Sequence, residues 1–200
     1  MKKEERFDAP PLPKLSMLSS SFVLRVVFQG CGAKDKTAYA LSVNFVRLVD
    51  QAVRSYESAR AALIVFVSTY EHIAWGKVES GVSDFEQCIV SIHRAVAMAK
   101  GLINYEGTPT GLRHCFPESG VILPEVIERQ IRRLRNTLHH FDEKLLKGKI
   151  QPKEAIVLVP ARHTLELGSR SLSYHILIDA ITSLHPMADA VSRFREDTPS

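Results

Sequence analysis

Apolar residues recur every three or four positions through the middle of the chain, from the neighbourhood of Lys34 to Tyr70. This spacing places them on one face of an α-helix and predicts a helical segment about twice the usual length, long enough for a bend or a break. Gly76 and Gly81 are expected to end the segment. The stripe consists of Leu41, Phe45, Leu48, Ala52, Tyr56, Ala59, Leu63, Phe66 and Tyr70.

Two further helices are predicted downstream. Ser83 and Glu86 have the spacing of a capping box, which predicts a helix from that point to about Leu102. Residues 104–123 are interrupted by glycines and prolines and are expected to form a long loop. Pro124 suits the first turn of the next helix. The apolar stripe of that helix consists of Ile127, Ile131, Leu134, Leu138, Phe141 and Leu145.

The segments outside these helices suggest some β-structure. Within residues 1–33, a proline-rich arm leads to the apolar and β-branched run Phe22–Phe28, which favours a short strand. Farther along, Ala155–Val159 and Thr164–Leu167 are expected to pair as a β-hairpin. The early strand is its expected neighbour.

A last helix is predicted from about Ser173 to Arg195, and Pro186 should kink or split it. The predicted fold is therefore mainly α. It is an antiparallel helical bundle over residues 34–200, with a small β-hairpin near 155–167 inserted before the last helix. Residues 1–33 form a separate N-terminal arm in this prediction.

Composition and charge leave a broad choice of functions. The chain has 200 residues, 45% of them hydrophobic, and a net charge of +4. These values suit one domain, and the mildly basic balance is compatible with nucleic acid as a partner. No apolar run approaches the roughly 20 residues needed to cross a bilayer, and the N-terminus lacks a signal-peptide pattern. We therefore expect a cytoplasmic protein with no membrane partner.

The cysteines and histidines do not predict a metal site. Cys31, Cys88 and Cys115 have neither the spacing of metal ligands nor that of a disulfide framework. Cys115 follows a histidine, which raises a nucleophile hypothesis, but a loop or half-buried thiol is the favoured interpretation. His139 and His140 diverge by about 100° on a helix, and no third ligand accompanies them. Neither a metal nor another cofactor is predicted.

The strongest chemical signal lies on the helix that follows Pro124. Arg135 is a permanent cation suited to phosphate, and His140 can exchange a proton near neutral pH. On a helical wheel these two side chains lie about 140° apart, whereas Arg135 and His139 share one face. We therefore expect Arg135 and His140 to act together only where a second copy of the helix closes the site, as in a two-fold dimer.

Arg135 and Asn136, followed by His140 on a long helix near the end of a helical chain, resemble the signature of the HEPN superfamily. That signature is an arginine, often followed by asparagine, that precedes a histidine by a few residues. The resemblance implies a HEPN-like antiparallel bundle over about residues 35–195, a homodimer and a metal-independent endoribonuclease. It makes Arg135 and His140 catalytic and gives Asn136 a supporting role. The N-terminal arm and the hairpin depart from a minimal bundle and leave the subfamily open.

Under this hypothesis the 2′-hydroxyl of RNA attacks its own adjacent phosphate. His140 serves as general base or acid, and Arg135 stabilises charge on the phosphoryl oxygens. Further basic side chains on the same helix are expected to bind the RNA substrate. They are Arg129, Arg132, Arg133 and His139.

Alternative functions use the same residues. Many HEPN proteins are toxins or defence factors, so the resemblance also points to an antitoxin or a nucleotidyltransferase as a partner. The main alternative is a non-catalytic helical dimer that binds a nucleotide, RNA or a protein. Without the resemblance, the arginine-rich face would be interpreted as a solvated helix surface with weak ion pairs.

Overall fold

The computed structural model describes residues 9–69, 75–140, 143, 147, 158–161 and 163–196. These residues form a mainly helical fold with a small three-stranded antiparallel sheet before the last helix, as predicted. The helices are α1 (Ser19–Gln29), α2 (Lys36–Thr69), α3 (Trp75–Asn104), α4 (Thr110–Arg113), α5 (Glu125–His139) and α6 (Tyr174–Arg193). The strands are β1 (Val159–Pro160), β2 (Thr164–Leu167) and β3 (Arg170–Ser173).

The long helices α2 and α3 form the centre of the fold and run antiparallel. Gly101 lies beside Leu41 at one end of the pair, and Gly81 lies beside Ala59 at the other. Apolar residues of both helices are buried along the shared face, in agreement with the predicted stripe. Hydrophobic burial along these two helices therefore supplies much of the core.

Three buried aromatic rings join the central helices to α6. The ring centroids of Tyr56 on α2 and Phe85 on α3 are 5.7 Å apart in an edge-to-face arrangement. The ring centroids of Phe85 and Tyr174 on α6 are 5.4 Å apart. All three residues are completely buried, so the contacts combine area burial with favourable ring geometry.

Helix α3 begins earlier than predicted. Gly76 and Gly81 lie inside α3 rather than ending the preceding segment, and Ser83 is a mid-helix residue rather than an N-cap. A Cβ added at Gly81 would lie 3.3 Å from the carbonyl oxygen of Ala59, so this glycine allows α2 and α3 to approach closely. Glu86 is half-buried, and burial raises the pKa of its carboxyl group. The predicted end of α3 near Leu102 is confirmed.

The predicted strand at Phe22–Phe28 is wrong, because these residues belong to helix α1. The buried carboxylate of Asp50 on α2 caps the N-terminus of α1 by accepting hydrogen bonds from the backbone N–H groups of Leu18 and Ser19. Gly30 ends the helix in the left-handed conformation, with φ 65°. A cap supplied by a residue so far away in sequence overrides the local β-propensity.

Residues 9–18 are packed against the bundle. The hydroxyl of Tyr56 donates a hydrogen bond to the carbonyl oxygen of Pro10 at 2.7 Å. The Nε2 atom of His185 on α6 lies 2.8 Å from the carbonyl oxygen of Ser16. This part of the predicted arm is therefore bonded to both α2 and α6, and residues 1–8 lie outside the described residues.

The sheet consists of β1, β2 and β3 in that order, all antiparallel. The predicted strand at Thr164–Leu167 is confirmed as β2. Its second neighbour is β3 and not the early segment near Val26, because that segment is helical. Most of the predicted strand Ala155–Val159 lies outside the described residues.

Helix α6 follows β3 directly, with Ser173 as its N-cap. The predicted last helix is confirmed, and it runs through Pro186 without being split. Leu184 and Ala188, on either side of the proline, are both buried, so packing holds the helix together at this point. Among the described residues, none of the helices is both long and apolar enough to cross a bilayer.

Replacing Asp50 by alanine should destabilise the protein by about 1–3 kcal/mol, because buried backbone N–H groups at the start of α1 lose their acceptor. Asp50→Asn keeps one acceptor oxygen and should cost less. The free energy of unfolding in urea measures both effects. Asp179→Ala, at an exposed position of α6, is the matched control. Equal stabilities of the Asp50→Ala and Asp179→Ala variants would contradict the capping role.

Candidate nucleic-acid interface

Helix α5 carries the predicted site residues and is strongly amphipathic. Pro124 precedes its first turn, which contains Glu125 and Glu128. Acidic side chains at this end interact favourably with the helix dipole. Ile131 and Leu134 are buried, so the apolar stripe faces the bundle as predicted. The predicted continuation of the helix beyond His140 lies largely outside the described residues.

The arginines of α5 lie on its accessible side. Arg129, Arg132 and Arg133 are exposed, and Arg135 is half-buried. The guanidinium of Arg135 donates a hydrogen bond to the Oδ1 atom of Asn136 at 3.2 Å. Asn136 therefore positions Arg135 within one protomer, which is consistent with the supporting role predicted for it.

His140 stands at the C-terminal end of α5, outside the regular helix. Its backbone N–H donates to the carbonyl oxygen of Asn136 at 3.1 Å. Its Nδ1 atom lies 3.3 Å from a carboxylate oxygen of Glu143, and both side chains are about half exposed, at 50% and 54%. A carboxylate at Nδ1 can orient an imidazole, and Nε2 then stays available to a ligand.

His139 lies beside His140, with ring centroids 5.0 Å apart in an edge-to-face arrangement. It is exposed, as is His140. The two imidazoles therefore form one accessible surface at the end of α5. Among the described residues no group of three histidines, cysteines or acids is arranged to hold a metal ion.

Arg135 and His140 do not meet within one protomer. The contacts of the described residues join Arg135 to Asn136 and His140 to Glu143, and none joins the catalytic candidates to each other. His140 lies beyond the last residue of the regular helix, so the angle given by a helical wheel stays a prediction. In the single chain the two residues belong to separate local contacts.

Helices α3 and α5 pack against each other in antiparallel directions. The ammonium group of Lys100 on α3 forms an ion pair with Glu128 on α5 at 2.6 Å. His93 lies two turns before Lys100 on α3, and Arg135, whose charge lowers the pKa of His93, lies two turns after Glu128 on α5. The opposite order of these two pairs along the helices shows that α3 and α5 run antiparallel.

A groove with a volume of about 200 Å³ lies between these two helices. Its apolar lining includes Ile92 and Val96 of α3, together with Leu123 and Ile131. Its polar lining consists of His93, Lys100, Glu128 and Arg132. Among the arginines predicted to bind substrate, Arg132 is therefore the one that borders this groove.

His93 is half-buried in this groove and has an altered acidity. Burial lowers the pKa of its imidazole below the ordinary value, and the guanidinium of Arg135 lowers it further. Glu128 opposes the shift, whereas Arg132 and Arg94 add to it. The imidazole is consequently neutral at neutral pH and can both donate and accept a hydrogen bond.

Sequence reasoning missed His93. The residue lies next to the apolar stripe of α3, and nothing in its immediate neighbours distinguishes it from an ordinary helix-flank histidine. Its environment comes from Arg132 and Arg135, which are about forty positions away in sequence. Once α3 and α5 are taken as antiparallel neighbours, the pair Lys100–Glu128 gives the register that would have placed His93 near Arg135.

The nucleophile hypothesis for Cys115 gains no support. The thiol is half-buried, and burial raises its pKa, so it remains protonated at neutral pH. Cys88 is completely buried, and burial raises the pKa of its thiol strongly. Cys31 is also buried, and all three cysteines are free. The favoured interpretation of half-buried or structural thiols is consistent with these positions.

No protein-family model, no curated protein and no solved structure matches this chain. The resemblance of Arg135, Asn136 and His140 to the HEPN signature therefore stays a prediction from those residues.

Substitutions on α5 should shift the pKa of His93 in a predictable order. Arg135→Gln should raise this pKa more than Arg132→Gln does, because Arg135 makes the larger electrostatic contribution. Arg129→Gln, on the same helix, should leave it unchanged. Histidine ring resonances followed by NMR as a function of pH measure all three variants. A His93 pKa that does not respond to Arg135→Gln would contradict the proximity of these two residues.

Proposed function

We propose that this chain is a HEPN-like, metal-independent endoribonuclease whose active site forms between two copies of α5. The observation that carries the proposal is the pair of accessible half-sites on α5. One contains Arg135 held by Asn136, and the other contains His140 beside Glu143. An anchored guanidinium and an oriented imidazole are the groups that phosphodiester cleavage without a metal requires.

The proposed reaction is attack by the ribose 2′-hydroxyl on the adjacent phosphorus. His140 removes the hydroxyl proton as the 2′-oxygen–phosphorus bond forms, and Arg135 stabilises the negative charge on the phosphoryl oxygens. The bond from phosphorus to the 5′-oxygen breaks, and that oxygen takes a proton from water. The products are a 2′,3′-cyclic phosphate and a 5′-hydroxyl. DNA lacks the 2′-hydroxyl and should not be cleaved.

A homodimer would bring the side chains of Arg135 and His140 close together. Arg135 and His140 make separate contacts in the single chain, and a two-fold axis beside α5 would bring Arg135 of one protomer toward His140 of the other. The exposed side chains of Arg129 and Arg133 would remain available for the phosphates of the RNA strand. Binding should consequently weaken as the salt concentration rises.

The cellular role that accompanies this activity is that of a cytoplasmic toxin or defence factor. An unrestrained ribonuclease damages its host, so a protein that covers α5, such as an antitoxin, would serve as its regulator. A modifying partner such as a nucleotidyltransferase would serve the same purpose. Both partners follow from the HEPN resemblance.

A non-catalytic RNA-binding protein is the second candidate. It is favoured by the separation of Arg135 from His140 in the single chain, where each side chain already has a partner on α5 or just beyond it. RNA binding through the exposed arginines does not require Arg135 and His140 to lie close together. In that case substitutions at Arg135 and His140 would change affinity or assembly without affecting any cleavage.

Purified protein should cleave single-stranded RNA in the presence of EDTA and leave DNA of the same sequence intact. His140→Ala should lower the rate by about 10²–10⁴-fold, the usual contribution of a general base. Arg135→Ala should lower it by about 10²–10³-fold through lost charge stabilisation. Gel analysis of a labelled oligonucleotide measures the rates, and the cyclic phosphate identifies the mechanism.

Two exposed residues on other helices provide controls for this experiment. His175→Ala on α6 and Arg47→Ala on α2 remove an imidazole and a guanidinium outside the proposed site. Both variants should cleave RNA at the unaltered rate. Intact RNA with the unmodified protein, over a range of protein concentrations that includes the dimer, would refute the enzymatic proposal. Tight RNA binding in the same samples would then favour the second candidate.

A further inference from the structure

We propose that the groove between α3 and α5 is a nucleotide subsite, which takes one base of the RNA strand against its apolar lining and the adjoining phosphate on Arg132. The proposal deepens the ribonuclease proposal and rests on it, because it assigns a place on the protein to one nucleotide of the bound RNA strand. It also brings His93, a residue outside the HEPN-like signature, into the substrate-binding surface.

The dimensions of the groove fit a single base. Its volume of about 200 Å³ lies below the roughly 300–1,000 Å³ of pockets that enclose drug-sized ligands. Val96, Leu123 and Ile131 form its apolar floor, on which a flat aromatic ring would rest, whereas Ile92 is completely buried and offers a ligand no surface. Ile131 and Leu123 are each 2% exposed, so this lining belongs to the packed core and is formed before any ligand arrives.

The charges around the groove favour an anionic ligand. Glu128 is the acidic residue in its lining, and the ion pair with Lys100 neutralises it. Arg132 borders the groove without an ion pair among the described residues, and Arg135 and Arg94 are close enough to affect His93. The remaining local charge is therefore positive, as a phosphate beside the base requires.

His93 is suited to the uncharged part of the nucleotide. A neutral imidazole can accept a hydrogen bond from a base or ribose hydroxyl and donate one through its other nitrogen. Burial on α3 and the nearby arginines of α5 disfavour its protonation in the free protein. A bound phosphate would offset the positive charge of Arg132 and Arg135, so nucleotide binding should raise the pKa of His93.

The direct test is a titration of the full chain with the four nucleoside 3′-monophosphates, followed through the ring resonances of its histidines. We expect His93 to shift with saturable binding and its pKa to rise. Inorganic phosphate alone and the unphosphorylated nucleosides should each bind about ten-fold more weakly or worse, because each makes only part of the contacts. A His93 resonance that ignores all four nucleotides would overturn the proposal.

Two variants locate the ligand. Ala97→Trp places a large side chain in the lining of the groove and should weaken nucleotide binding by about ten-fold or more, whereas Ala61→Trp, at an exposed alanine of α2, should not. Arg132→Gln should weaken binding of the nucleotides but not of the nucleosides. Circular dichroism checks the fold of each variant. Unchanged nucleotide affinity in both Ala97→Trp and Arg132→Gln would overturn the proposal.

The same samples separate this proposal from the ribonuclease proposal. RNA cleavage by a protein whose His93 does not respond to nucleotides would refute the subsite and leave the enzyme intact. Nucleotide binding that Ala97→Trp abolishes, in a protein that never cleaves RNA, would support the subsite and refute the enzyme.

Discussion

The burial of Ile131 and Leu134 against the bundle determines how α5 presents its charged residues. These two side chains fix the rotation of the helix, because both are 2% exposed and a turn about the axis would bring them into water. With the rotation fixed, Arg132 borders the groove toward α3, and Arg129 and Arg133 face solvent. The ion pair between Lys100 and Glu128 adds little energy by itself, but it is consistent with a single register along the axis.

The two histidines near the arginines of α5, His93 and His140, lie in different surroundings. Near the middle of α5, burial between the helices lowers the pKa of the His93 imidazole, and the guanidinium groups of Arg135 and Arg132 lower it further. At the end of the helix, His140 lies about half exposed beside the carboxylate of Glu143. His93 is thus half-buried between packed helices, whereas His140 is accessible to a ligand in solution. The proposed roles in substrate binding for His93 and in proton transfer for His140 rest on this difference in accessibility.

The parts of the fold that depend on local periodicity could be predicted from the sequence. The apolar stripes of α2 and α5 and the last helix follow from spacing alone. The segment Phe22–Phe28 could not be assigned this way, because its helix depends on the distant carboxylate of Asp50. Val27 and Phe28 on α1 are 67% and 79% exposed, so apolar residues do not mark the buried face of this helix. The start of α3 was misplaced because Gly81 serves close packing on α2 rather than chain termination.

The candidate site likewise has features that follow from local sequence and features that depend on packing. The exposure of Arg132 and His139 could be predicted, since it follows from helix geometry, whereas the angle between Arg135 and His140 could not, because His140 lies beyond the regular helix. The contribution of His93 could not, because it arises from the packing of α3 on α5. Mixing two inactive variants tests whether Arg135 and His140 cooperate across a dimer. If the site is shared, Arg135→Ala and His140→Ala proteins should regain up to about a quarter of the normal cleavage rate after subunit exchange, since half of the dimers then hold one intact site of two. Arg135→Ala mixed with the Arg135→Ala/His140→Ala double variant should stay inactive. A mixture of the single variants that exchanges subunits and still cleaves no faster than its components would contradict the account.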